Sequence, residues 1–212
     1  MKGFQFPLID KNTVWNKLNN KVLEKEGSYE NLWMSNSNLV ESNMKNVKID
    51  CGILNHVNLR QSQMEKIKLS DVKITESNLS NIDAFESFWL RVEIDESKLT
   101  GLKLNSAIME DVYIKDSNSQ FIQLRFGKAK RVIFESCNMK GSDFTNTDLT
   151  GCKFLNCDLS EAEFSGSILT GTDLRGSNLE KIKIGVKEIK GAIVNTNQAL
   201  FLSGLLGIDI RD

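Results

Sequence analysis

The chain has 212 residues, 26% charged and 40% hydrophobic, with 27 basic against 28 acidic residues and a formal net charge of −1. That balance leaves no excess of Lys and Arg to neutralise nucleic-acid phosphates or an anionic membrane surface. One proline excludes Pro-rich or collagen-like chains, and no stretch approaches the roughly 20 apolar residues of a membrane span.

Residues 1–31 read as an N-terminal capping segment. Its first residues lack an apolar core long enough for a signal peptide, so the expected compartment is the cytoplasm, where the four cysteines stay reduced. Residues 10–23 supply N-cap residues and then Val14, Leu18 and Val22, four apart, which predicts a short capping helix.

Residues 32–186 carry a period of five. Counting every fifth residue from Met34 through Leu54, Ile74, Ile94, Ile114, Phe134, Phe154 and Leu174 to Ile184 gives 31 centres in unbroken phase, of which only Ser119 is polar. Residues two before each centre are restricted too, with Ser37, Val47, Val57, Ile67 and Val72 early and Cys152, Cys157, Ala162 and Thr172 late. A period of five is neither 3.6 nor 2, so no straight amphipathic helix or flat strand keeps every centre inside. A closed coil does. Each pentapeptide forms one side, the centre and the residue two before it point to the axis, and the other three point out, which predicts an all-β solenoid.

Units such as Ser142-Asp143-Phe144-Thr145-Asn146, Thr147-Asp148-Leu149-Thr150-Gly151 and Thr172-Asp173-Leu174-Arg175-Gly176 resemble the pentapeptide-repeat family, whose unit is A(D/N)LXX. The resemblance implies a right-handed quadrilateral β-helix with four pentapeptides per coil, to which the flanking segments add helical caps. That makes about eight coils here, on the order of 37 Å of rod at about 4.8 Å per coil, with no length left for a large loop. Ala is rare two before the centre in the N-terminal half, where Val, Ile and Ser dominate.

Residues 187–212 form the C-terminal part. The run 197–207 predicts a helix that stops at Gly207 and is apolar nearly all round, through Leu200, Phe201, Leu202, Leu205 and Leu206. Either one thorough cap buries these side chains or a second copy covers them. Residues 189–199 and 205–208 resemble the tail of the quinolone-resistance (Qnr-type) and albicidin-resistance members, which implies a symmetric homodimer through this helix.

Little points to chemistry. His56 is the only histidine and falls outside the coil; Cys137, Cys152 and Cys157 fall inside as small hydrophobes, and Cys51 falls at an outward or corner position. No metal-ligand spacing, phosphate loop or nucleophile elbow appears, so no enzyme activity, metal or cofactor is expected.

The outside can be unrolled into four faces, because residues 20 apart stack. Face 1 (centres Met34, Leu54, Ile74 and onward) carries Glu76, Glu93, Asp95, Glu96, Asp116, Glu135 and Asp173 against Lys73, Lys115, Lys153 and Arg175. The faces centred on Leu39, Met44 and Ile49 (faces 2, 3 and 4) are near neutral. Glu76, Glu93, Asp95, Glu96, Asp116 and Glu135 are therefore candidate partner-binding residues. A second candidate is apolar: Phe85, Phe88, Leu90 and Ile108 fall at outward positions, either as a contact surface or as local filling where a centre shrinks to Ala84.

The Qnr-type resemblance implies an acidic rod of DNA-like girth that occupies the DNA-binding saddle of DNA gyrase or topoisomerase IV and protects it from quinolone-like poisons. The solenoid's 21 acids against 19 bases meet that charge requirement only in part. The alternative expectation is a protein-interaction scaffold unrelated to DNA topology. Neither involves direct contact with nucleic acid or membrane.

Overall fold

The computed structural model describes residues 3–205 and 207–211. Along the coil, both inward positions are buried at every repeat from Leu32 and Met34 to Leu179 and Ile182. The residue two after each centre takes a left-handed φ without a break from Asn36 to Lys181. This single left-handed residue per pentapeptide turns each corner, which is why Asn, Asp and Gly recur there.

Parallel pairing closes each coil onto the next. The strands are β1 (Asn16–Lys17), β2 (Ser28–Asn38), β3 (Lys48–Asn58), β4 (Lys68–Thr75), β5 (Phe88–Asp95), β6 (Ile108–Lys115), β7 (Lys128–Lys130), β8 (Ile133–Glu135) and β9 (Lys153–Leu155). Their order is β1-β2-β3-β4-β5-β6-β8-β9, with β7 also on β6. From β2 to β9 the register is 20 residues, running Met34, Leu54, Ile74, Ile94, Ile114, Phe134 and Phe154 as seven stacked rungs. These strands wrap from face 4 onto face 1; faces 2 and 3 are tied by single bridges such as Asn43↔Gln63 and Asn58↔Asn78. The phase runs beyond residue 186, since Ile193 bridges Asp173 and Ile189 and Val194 pack against the core.

The core changes character along the axis. The N-terminal coils are filled by Leu, Ile and Met. Further on, Phe134 stacks on Phe154 (centroids 5.1 Å apart) and Phe144 on Phe164 (4.9 Å), with Phe144 and Phe154 edge to face at 5.5 Å. The buried serines are largely satisfied by backbone: Ser77 Oγ accepts from the Val57 amide at 3.0 Å and donates to the Thr75 carbonyl at 2.8 Å. Cys137, Cys152 and Cys157 are buried as expected, and burial pushes the Cys152 thiol up to about 12.

The N-terminal segment corrects one expectation. Residues 10–23 form no helix; Asn16 and Lys17 pair with Leu32 and Trp33 as β1, Trp15 packs edge to face on Trp33, and Val14 stays 84% exposed. The reason lies in the asparagines, which favour local backbone bonding over helix. The first coil's edge offers unpaired amides and carbonyls. Asn19 Oδ1 accepts from the Ser35 amide (2.9 Å), Asn20 Oδ1 from the Asn38 amide (3.0 Å), and Asn16 Nδ2 donates to the Glu30 carbonyl (2.8 Å).

At the other end, α1 (Thr196–Leu205) covers the last coil. Asn195 and Gln198 cap it reciprocally: the Gln198 amide donates to Asn195 Oδ1 (2.9 Å) and the Asn195 amide to Gln198 Oε1 (3.0 Å). The Gln198 Nε2 also donates to the Leu174 carbonyl (2.7 Å) and the Ser177 carbonyl (2.8 Å). Leu202 is the buried apolar contact.

Candidate functional site

Face 1 gathers the expected acids, and the structure adds their partners. His56, Glu76, Glu96 and Asp116 follow one another up the corner beside face 1 at successive coils, all with left-handed φ. Glu76 meets His56 at 2.6 Å, Glu93 meets Lys73 at 2.9 Å, and Asp116 meets Lys115 at 3.1 Å. The Tyr113 hydroxyl donates to Glu135 Oε2 at 2.6 Å. Asp95 and Glu96 form no ion pair among the described residues. The six acids therefore share one side of the rod, with bare charge concentrated at Asp95 and Glu96. Burial, the Glu135 bond and the charges of Glu135, Asp116 and Asp95 all push the Tyr113 phenol up, so it stays a neutral donor.

The apolar candidates divide. Phe85 and Ile108 are exposed, whereas Phe88 and Leu90 are half-buried on face 4, with Phe88 opposite Ile108 in the ladder. Phe85 does not turn in beside Ala84, so the local-filling alternative fails for it. Two further aromatics escaped sequence reasoning: Phe121 and Phe126, 53% and 63% exposed, stand at corners with φ of 58° and 57°. Bulky residues rarely take such φ values. A Phe in the corner slot was the available signal. Phe121 lies over Gly141, where a Cβ would come within 2.8 Å of the ring.

The corner between faces 4 and 1 holds a second missed feature. Asp71, Arg91, Asp111 and Arg131, each 20 residues on from the last, alternate in sign. Arg91 grips Asp71 through two bonds of 2.6 Å, and Arg131 grips Asp111 at 2.5 and 2.7 Å while reaching Glu110 at 2.6 Å. The N-terminal arm, residues 3–10, lies on this ladder. The Leu8 amide donates to Asp71 Oδ1 at 2.8 Å, the Gln5 backbone bonds Asp111, and Phe6 sits edge to face on Tyr113 at 5.8 Å, with Phe4 against Phe6 at 5.1 Å.

Burial alone would raise the carboxyls of Asp71 and Asp111, but the arginine bonds and charges and the arm's amides outweigh it and hold both below the usual range. A depressed native value means stability present above the unfolded pKa and lost as pH falls through the folded one. The thermal midpoint is therefore expected to be insensitive to these groups from pH 7 to about 5 and to fall below about pH 4, with the arm exposed to proteolysis there. Arm release between pH 7 and 5 would contradict the assignment.

In α1, Leu202 faces the coil, which corrects its place among the dimer residues; Leu200, Phe201 and Leu205 are exposed, and Leu206 lies outside the described residues. Among the described residues no cluster of three His, Cys, Asp or Glu could hold a metal, and no helix is long and apolar enough to cross a membrane.

The pentapeptide-repeat family model matches residues 120–154 and 142–180, with 8 copies of the repeat. No curated protein matches the chain in sequence. Among solved structures, trypsin-treated QnrB1, a plasmid-mediated fluoroquinolone resistance protein, is 14% identical over 92% of this chain and 96% of that one, with a TM-score of 0.61. Full-length QnrB1 is 17% identical over 91% and 95%, TM-score 0.46. HetL, a pentapeptide-repeat protein of the cyanobacterium Nostoc involved in heterocyst differentiation regulation, is 15% identical over 82% and 92%, TM-score 0.31. Residues 120–180 thus carry pentapeptide repeats matched by the family model, and the coil continues the same 20-residue rungs outside them.

Proposed function

We propose that the protein is a non-enzymatic binding protein that docks on a type II topoisomerase, DNA gyrase or topoisomerase IV, as a partial DNA mimic and protects it from quinolone-like poisons. The observation that carries this reading is the acidic edge, with Glu76, Glu96 and Asp116 stacked at successive coils and Asp95 beside them. Stacked like charges repel, and a basic groove that normally holds phosphate would relieve that repulsion and be steered toward it. The fold likeness to a fluoroquinolone resistance protein is consistent with the reading. The exposed Leu200, Phe201 and Leu205 of α1 support a homodimer. Charged residues at Leu200 and Leu205 halve the mass by light scattering if this is the contact.

The test is supercoiling by gyrase and topoisomerase IV with a fluoroquinolone and increasing protein. Wild type restores activity, and the combined Glu93→Lys, Asp95→Lys and Glu96→Lys variant needs at least about ten times more protein. No rescue at any ratio sinks the proposal. A second reading, a scaffold for another protein, is favoured by the exposed Phe85, Ile108, Phe121 and Phe126. Rescue that survives the charge reversal while Phe121→Ala and Phe126→Ala abolish it would shift the contact to that side.

A further inference from the structure

Where the N-terminal arm meets face 1 it builds a notch of about 330 Å³. That is small for a drug-sized molecule and sufficient for one long side chain. One wall is aromatic, from Phe4, Phe6 and Tyr113; the floor is Ile133 and Leu155, and Glu135 and Lys153 complete the lining. Phe6 and Tyr113 meet edge to face, so the notch contains ring faces as well as ring edges. Phe6 itself is exposed, so the notch opens to solvent.

The chemistry of this notch is selective. Ring faces attract cations and carry no preference for anions. Glu135 uses Oε2 to accept from Tyr113, and its Oε1 takes no hydrogen bond among the described residues. Asp95 and Asp116 lie close enough for their charges to act on the Tyr113 phenol. Lys115 pairs with Asp116 at 3.1 Å, while Lys153 stands at the notch and forms no ion pair among the described residues, set against the carboxylates of Glu135 and Asp95.

A planar cation that stacks on rings and donates to a carboxylate is a guanidinium, which an ammonium does not match. We infer that the notch is the seat for an arginine side chain of the partner protein, held against the aromatic wall of Phe4, Phe6 and Tyr113 with its donors on Glu135. This rests on the reading of face 1 as the docking side and names the group that anchors it. The arm is then part of the binding surface, because without Phe4 and Phe6 the notch loses its outer wall.

The experiment uses the full chain with labelled Ile and Leu methyls, titrated with the peptide Ac-Ala-Arg-Ala-NH2 and with the same peptide carrying citrulline, lysine or aspartate in place of arginine. Saturable shifts are expected at the Ile133 and Leu155 methyls, with arginine binding at least about fivefold tighter than neutral citrulline. Glu135→Gln and Phe6→Ala each weaken arginine at least about threefold, while Glu163→Gln, on face 3, leaves it unchanged. Equal binding of citrulline, tighter binding of the aspartate or lysine peptide, or no saturable shift overturns the inference. Arginine binding without topoisomerase rescue keeps the notch and moves the partner elsewhere. Rescue without arginine binding keeps the docking face and removes the notch from it.

Discussion

Phe154→Ala is expected to destabilise the protein by about 3–5 kcal/mol, as large-to-small changes at filled core sites do. Phe154 is fully buried, stacks on Phe134 at 5.1 Å and meets the Phe144 and Phe164 edges at 5.5 and 6.2 Å. A solenoid interior is a narrow column fixed by the rungs above and below, so the walls cannot collapse onto the space without breaking ladder bonds. A fall of roughly 10 °C in thermal midpoint follows for a chain of this size. Phe126→Ala, at an exposed corner, is the control and should move the midpoint little. Comparable losses from the two variants would mean that the four-ring cluster is not the packing centre.

The second large effect is expected at Gln198. Gln198→Leu keeps the side chain's bulk and removes both ends of its bonding. The carbonyls of Leu174 and Ser177 lose a shared donor and the Asn195 amide loses its acceptor, while the Asn195 side chain still caps α1. A buried polar group left unsatisfied costs about 1–3 kcal/mol and the lost hydrogen bond at Asn195 about 1, so a total of about 2–4 kcal/mol is expected. The loss should be local. Amide exchange should speed up across α1 and the coil of Leu174 while the rungs near Ile94 keep wild-type protection. Unchanged exchange in α1 would show that Leu202 alone holds the cap.

The repeat was legible because the five-residue phase and the small residue two before each centre are local rules that no tertiary contact overrides. From Met34 to Leu179 each inward position is buried as read. The segment 10–23 misled because the i, i+4 spacing of Val14, Leu18 and Val22 is a helical signal, whereas its fate was decided by amides of Ser35 and Asn38 awaiting acceptors. The acids of face 1 were legible as positions, but their contacts with Lys73, Lys115 and His56 depend on side-chain reach. Phe121 and Phe126 were hidden because the three outward slots were treated as equivalent, when the third is a left-handed corner. In α1 the apolar residues were legible as a set, and the depth at which the helix meets the coil decided that Leu202 seals it.

The N-terminal arm sets an order of assembly. Each rung from β2 onward joins residues 20 apart, a closure the growing chain makes as soon as one more coil exists. The Leu8 amide reaches Asp71 across 63 residues, and Gln5 reaches farther still to Asp111. Closing the longer loop costs about 1 kcal/mol more in chain entropy than closing one rung. Its anchor points do not exist until the coil bearing Asp111 and Tyr113 has formed. Residues 3–10, made before the rod, therefore settle only after it, and they fasten onto a rod whose middle is already complete.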